Sequence, residues 1–136
     1  MNPLEALISD ALDIKDALRD AVANLELAIE ADHKARRTAK EAMTAYDNAE
    51  AEWELDQMFP PENGTGKITV DQRKAIIAAA KVASHRDGAL AKPLAMAHAA
   101  RYNAEDAAMS LLQAEKRYSA TRAATELTAA ILNAAK

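Results

Sequence analysis

Apolar residues recur at alternating spacings of four and three along the first 53 residues of the chain. One member of this series, Asp32, is charged, and the rest are apolar. A repeat of 3.5 residues sustained over about seven heptads predicts one long α-helix that packs against a partner helix. The series is Leu4, Leu7, Ala11, Ile14, Leu18, Ala21, Leu25, Ala28, Asp32, Ala35, Ala39, Ala42, Tyr46, Ala49 and Trp53.

Both ends of this first arm carry recognisable signals. Asn2 is suited to the N-cap, Pro3 to the first helical position, and Glu5 to the third position of a capping box. At the other end, two prolines and two glycines lie within residues 60–68 and predict a chain reversal. The first arm therefore spans about residues 3–59, and the loop spans 60–68.

The second arm spans about residues 69–135. Thr69 and Gln72 are spaced as a capping box, and Ile68 is placed to act as its hydrophobic staple. The apolar series of this arm is Ile76, Ala79, Ala83, Leu90, Ala97, Ala100, Ala104, Ala107, Leu111, Ala114 and Tyr118, drifting to Ala124, Leu127 and Ile131. Gly88 and Pro93 disfavour a continuous helix, so we expect a kink or break between residues 86 and 93.

These signals predict a single all-α domain over residues 1–136. Its architecture is a long antiparallel helical hairpin, alanine-rich and coiled-coil-like, with a kinked second arm, and hairpins of this kind assemble into helical bundles. The register estimated from the loop places Trp53 against Ile76 and Tyr46 against Ala83. Large side chains then face small ones, which permits close packing of the helices.

The charge of the chain is unevenly distributed. Residues 1–59 contain 14 acids and 6 Lys/Arg, whereas residues 60–136 contain 7 acids and 11 Lys/Arg, and the formal net charge is −4. Two arms of opposite sign attract each other when they are folded together, so this asymmetry favours the hairpin itself. No apolar run approaches the ~20 residues that span a bilayer, so we expect no membrane association. The chain has no Cys, which fits a reducing compartment, and we expect a cytoplasmic location.

Asp32 is the one charged residue of the first apolar series. Buried charges are usually paired, and a single polar core residue can fix the register of a coiled coil. We therefore interpret Asp32 as a core polar pin that is paired with His98 or Arg101 on the second arm. The alternative is a functional carboxylate.

Two further clusters are candidate contact sites. Lys34, Arg36, Arg37 and Lys40 form the densest basic cluster, which could contact nucleic-acid phosphates or could be a solvated face. Met58 and Phe59 lie at the predicted hairpin tip, where they could close the core or contact a partner protein.

The residue types needed for catalysis do not occur in a recognised arrangement. The chain has no Cys, and His33, His85 and His98 lack the spacing of metal ligands. We therefore expect no catalytic residues, no metal site and no cofactor, and hence a protein that is not an enzyme.

Self-association is the interaction that the sequence supports best. Ile8, Val22, Ile29 and Met43 make the apolar surface of the first arm wider than one partner helix requires. The estimated register also leaves Leu127, Ile131 and Leu132 beyond the start of the first arm. We expect a homodimer in which these tail residues cover Leu4 and Ile8 of a second chain.

One stretch resembles a group of known proteins. The segment Tyr46–Trp53, the loop, and the motif Lys67-Ile-Thr-Val-Asp-Gln-Arg-Lys-Ala75 followed by an alanine-rich arm resemble small helical proteins of tailed bacteriophages over about residues 42–127. Some of those proteins are encoded near genes for recombination or single-strand-DNA handling. The resemblance implies a phage-encoded protein that acts in a bacterial host on a protein partner in DNA recombination or replication. Two alternatives remain: a nucleic-acid-binding accessory protein, and a virion-assembly or host-factor-inhibiting protein.

Overall fold

A computed structural model describes residues 2–58 and 69–135 of the chain. Within them the chain forms three α-helices and no strand: α1 (Pro3–Met58), α2 (Val70–Asp87) and α3 (Ala91–Ala134). The long helix α1 packs against α3, which confirms the all-α helical hairpin with an interrupted second arm. The predicted loop at 60–68, together with Phe59 and the Ile68 staple, lies outside the described residues.

The helix starts follow the capping chemistry predicted from the sequence. The Glu5 backbone N–H donates to Asn2 Oδ1 at 2.7 Å at the start of α1. At the start of α2, the Gln72 backbone N–H donates to Thr69 Oγ1, and the Thr69 N–H donates to Gln72 Oε1, each at 3.2 Å. This reciprocal capping box satisfies two backbone donors that a helix start otherwise leaves without partners.

The second arm is broken between Asp87 and Ala91. Gly88 is the C-cap of α2, and its N–H donates to the Ser84 carbonyl at 3.1 Å. The Leu90 N–H donates to Ser84 Oγ at 3.3 Å, and the Leu90 side chain is completely buried. Pro93 falls in the first turn of α3, where its missing N–H costs nothing because no acceptor is available there.

The chain divides into two compact units. Unit 1 consists of residues 1–35 and 104–136, and unit 2 consists of residues 36–103. Unit 1 pairs the first part of α1 with most of α3, whereas unit 2 contains the rest of α1, all of α2 and the start of α3. Within the described residues, the buried apolar side chains are Ala21 in unit 1 and Leu90, Ala97 and Ala100 in unit 2.

The predicted apolar series of α1 matches the observed burial closely. Every member from Leu7 to Trp53 is buried or half-buried, whereas Leu4 is exposed. Asp32 is among the buried members, with 3% of its surface exposed. We call these inward-facing positions the buried stripe of α1.

The predicted series of α2 is wrong by one residue. Ile76, Ala79 and Ala83 are exposed, and the inward positions are instead Ile77, Ala80 and Ser84. In α2, the row that begins with Ile76 and the row one residue later that begins with Ile77 both contain apolar residues. The spacing of apolar residues therefore does not determine which row faces inward. The choice follows from Lys81 and His85, which in the observed phase reach acceptors and donors on α1.

The predicted drift of the α3 series to Ala124, Leu127 and Ile131 is also wrong. Burial continues without a shift through Thr121, Thr125, Thr128 and Leu132. Each of these threonine hydroxyls donates to a carbonyl four residues earlier in α3, at 2.8–2.9 Å. Because the hydroxyl is hydrogen-bonded to a carbonyl of its own helix, a threonine can face inward with its methyl group. A hydrophobicity pattern counts threonine as polar and does not predict this burial.

Candidate functional site

Tyr46, Glu50 and Glu54 are spaced four residues apart on α1 and face Lys81 and His85, also four apart, on α2. Residues at this spacing lie along one edge of a helix, so the two rows meet side by side in unit 2. Lys81 Nζ donates to Glu50 Oε1 at 2.7 Å and to Glu54 Oε1 at 2.8 Å. We call these five residues the polar ladder.

At one end of the polar ladder, the ring of Tyr46 contacts the ring of His85. Tyr46 Oη lies 2.7 Å from His85 Nε2, and the ring centroids are 5.9 Å apart. Which of these two atoms donates depends on the histidine tautomer: with the proton on Nε2, His85 donates to Tyr46 Oη, and the tyrosine hydroxyl then donates to Glu50. This contact replaces the predicted approach of Tyr46 to Ala83, because the observed phase of α2 turns His85 toward α1.

The ionisable groups of the ladder stabilise one another. Hydrogen bonds from Lys81, followed by the Tyr46 hydroxyl, lower the pKa of Glu50 below its ordinary value. Hydrogen bonds to Glu50 and then Glu54 raise the pKa of Lys81. Burial, followed by the Glu50 carboxylate, raises the pKa of Tyr46. The charged Glu50–Lys81 pair and the neutral Tyr46 hydroxyl are therefore the favoured forms near neutral pH.

The ladder is bonded within itself, so its geometry is that of a connector between helices. Its charged side chains already have partners at hydrogen-bond distance across the α1–α2 interface. Among the described residues, no three His, Cys, Asp or Glu side chains are grouped as metal ligands would be.

The second notable surface is a row of exposed side chains on α1 within unit 1, beside the buried stripe. It repeats the spacing of that stripe, and we call it the outer stripe: Leu12, Lys15, Arg19, Val22, Glu26 and Ile29. Leu12 is 57% exposed, Val22 37% and Ile29 39%. A shallow, open depression lies beside its C-terminal end, lined by Ala23, Glu26, Leu27, Ile29 and Glu30.

The apolar pattern of the sequence predicts only part of the outer stripe. Val22 and Ile29, together with Ile8 and Met43 outside it, are apolar residues that widen the first arm, whereas a pattern of apolar positions does not include the charged members. The signal was present in the spacing, because the outer stripe continues with the same alternation of three and four residues.

The other predicted contact residues lie as follows. Leu4, Ile8, Leu127 and Ile131 are exposed, whereas Leu132 is half-buried in the inward row of α3. Because that row extends to Leu132, the tail beyond Thr125 is packed within unit 1, and the expectation that it lies beyond the start of α1 is wrong. Met58 ends α1, and its side chain and Phe59 lie outside the described residues.

The predicted polar and basic residues are also located. Asp32 is buried in unit 1, and His98 and Arg101 are surface residues of α3 in unit 2, so the pairing of Asp32 with one of them stays a prediction. The basic residues Lys34, Arg36, Arg37 and Lys40 are all exposed on α1.

Comparison of the chain with protein-family models, curated proteins and solved structures finds no match. Within the described residues, no helix is both long enough and apolar enough to cross a bilayer.

Proposed function

We propose that the protein is a non-enzymatic helical interaction protein that works as an oligomer and binds a protein partner in DNA recombination or replication. The observation that carries this proposal is the imbalance between buried and exposed apolar side chains. Among the described residues only four apolar residues are buried, three of them alanines, whereas 17 large apolar side chains are exposed.

The accessible surface of the chain supports the same proposal. A folded monomer of 14.6 kDa is expected to expose about 6,900 Å². This chain exposes 10464 Å². Since apolar burial supplies roughly 25 cal/mol per Å², a chain with so little of it gains stability by covering its exposed faces with another protein surface.

The polar ladder supports a role that is not catalytic. Its charged groups bond to each other across the α1–α2 interface and hold the two helices in register. A general acid or base needs a side chain within reach of a substrate, and these side chains are committed to internal contacts.

The assignment to recombination or replication, in a phage-infected bacterial cell, rests on the resemblance of residues 42–127 to small helical phage proteins. Affinity purification of the tagged chain from infected cells, followed by binding of the purified components, tests it. Direct binding of a recombinase or a host replication factor supports the proposal. Direct binding of a capsid protein, with neither of those, contradicts it and favours a role in virion assembly.

Nucleic-acid binding is the second candidate function, because Lys34, Arg36, Arg37 and Lys40 are all exposed. Binding through phosphates falls steeply as salt rises. Fluorescence anisotropy with single-stranded and duplex oligonucleotides at two salt concentrations tests it. Salt-sensitive binding that Arg37→Glu and Lys40→Glu together abolish supports this function, and no binding at low salt excludes it.

A further inference from the structure

The outer stripe combines three exposed apolar residues with three charged ones in an ordered way. Leu12 and Ile29 stand at its two ends, Lys15 and Glu26 come next, and Arg19 and Val22 stand at the centre. In the two outer pairs, positions at equal distances from the two ends therefore carry matching residues: an apolar residue matches an apolar one, and a positive charge matches a negative one. Such a pattern is what a two-fold interface requires, because each surface patch must match itself after rotation.

The charges of the outer stripe are available for an external partner. In the parts of the chain that the structure describes, Lys81 pairs with Glu50 and Glu54, Arg122 pairs with Glu126, and a few other charged residues, such as Arg101 and Glu105, also have contacts. Lys15 and Glu26 belong to none of them. They lie between exposed apolar residues, where a second surface that covers Leu12 and Ile29 would also cover them.

We infer that a second copy of this chain docks antiparallel on the outer stripe, with the two-fold axis between Asp20 and Ala21. This inference rests on the proposed function, because it names the partner that makes the protein an oligomer. Leu12 lies against Ile29 of the second copy, next to the depression beside Ile29. Lys15 lies against Glu26 of the second copy, and the aliphatic part of Arg19 covers Val22 of the second copy.

Other registers of the same two stripes are less complementary. A parallel arrangement places Lys15 against Lys15 and Glu26 against Glu26, which is repulsive. An antiparallel shift by one heptad in one direction places Lys15 against Arg19. The shift in the other direction places Arg19 against Ile29 and Val22 against Glu26. Of these four arrangements, only the proposed register gives both an apolar pair and a pair of opposite charges.

The available surface is large enough for such a dimer. A standard interface buries roughly 800 Å² on each partner. The chain exposes 10464 Å², about 3,500 Å² more than expected for a monomer of its mass. Two hairpins joined through α1 place four helices side by side, which is a common arrangement of helical bundles.

Charge reversal tests the register directly. Lys15→Glu and Glu26→Lys each place like charges in two symmetry-related pairs, and either should raise the dimer dissociation constant by about tenfold or more. The double variant restores opposite charges and should return the dissociation constant to within about threefold of the unmodified value. Lys116→Glu, on an exposed position of α3, is the matched control and should leave it unchanged. Sedimentation equilibrium measures all five proteins.

Disulfide cross-linking provides a second test, because the chain has no cysteine of its own. Lys15→Cys combined with Glu26→Cys should give a covalent dimer on mild oxidation. Within one chain these positions are about 16 Å apart along α1, too far for a disulfide. Ala17→Cys with Asn24→Cys, on the other flank of the buried stripe, should give no covalent dimer.

The outcomes separate this inference from the proposed function. Rescue by the double charge variant together with the cross-link supports the inference. A dimer that is unaffected by either single charge reversal overturns the inference but is consistent with the oligomeric function. The same holds if only the combined variant Leu127→Asp and Ile131→Asp dissociates the dimer. A chain that is monomeric without any substitution overturns both.

Discussion

Tyr46 and His85, which are 39 residues apart in the chain, meet with the tyrosine hydroxyl oxygen 2.7 Å from His85 Nε2. Together with Lys81 and its two glutamate partners, they fix how α2 lies against α1 in unit 2. A helix with apolar residues in two phases, such as α2, has its inward face selected by contacts of this kind.

Removing the Tyr46 hydroxyl should destabilise the protein modestly. Tyr46→Phe deletes one partly buried hydrogen bond and should lower the free energy of unfolding by about 1 kcal/mol. Tyr102→Phe makes the same change on an exposed tyrosine and should have no measurable effect. Urea unfolding followed by circular dichroism compares the two, and equal effects would show that the contact with His85 contributes nothing.

Acid should weaken the polar ladder through Glu50. The folded-state pKa of Glu50 lies below its ordinary value of 4.5, because Lys81 and then Tyr46 donate hydrogen bonds to it. Its ionised form therefore adds stability above that pH, and the contribution is lost as the pH falls through the lower folded-state pKa.

Glu50→Gln should accordingly flatten the loss of unfolding free energy below about pH 4.5. Glu52→Gln, two residues away and exposed, should retain the slope of the unmodified protein. Urea titrations at a series of pH values between about 3 and 6 give both slopes, and identical slopes for Glu50→Gln and the unmodified chain would refute the assignment.

Gly88 should not tolerate a side chain. A Cβ built at this position would lie 2.8 Å from the Ser84 Cα, which is backbone that cannot move without disturbing the end of α2. Gly88→Ala should therefore lower the free energy of unfolding by about 1–3 kcal/mol. Ala89→Ser, at the exposed neighbouring position, should change it by less than about 0.5 kcal/mol. A Gly88→Ala protein as stable as the unmodified chain would contradict the geometry of this corner.

Leu90 should be the most sensitive apolar position of unit 2. It is the one large side chain of the described residues with no exposed surface. Leu90→Ala should lower the free energy of unfolding by about 2–5 kcal/mol, since it leaves a cavity where α2 ends and α3 begins. Leu55→Ala, on a leucine that is more than half exposed, should cost less than about 1 kcal/mol. Thermal unfolding ranks the two variants, and the reverse order would exclude Leu90 as a core residue.

The helices could be predicted from the sequence because their determinants are local. Asn2, Thr69 and Gln72 act on backbone groups within three residues, and Gly88 and Pro93 interrupt the helix where they stand. The buried stripe of α1 was also predictable, since one face of that helix is apolar at every turn except at Asp32.

The inward faces of α2 and of the end of α3 were predicted wrongly, because in each helix two alternative faces have similar apolar content. In α2, Ile76 and Ile77 are equally apolar, and only the distant Tyr46, Glu50 and Glu54 distinguish them. In α3, Thr125 and Thr128 point inward because their hydroxyls bond to their own helix, whereas Leu127 stays exposed. A hydrophobicity pattern contains no information on contacts between distant residues. It also does not show which hydroxyl groups are hydrogen-bonded to their own helix.

We expect this chain to work as an oligomer, because its own core is too small to cover its apolar surface. Sedimentation equilibrium of the unmodified protein, from about 1 to 100 μM, measures its mass in solution. We expect a mass of at least twice 14.6 kDa at the upper concentrations, together with dissociation on dilution or a dimer throughout. A single folded species of 14.6 kDa across the whole range would contradict it.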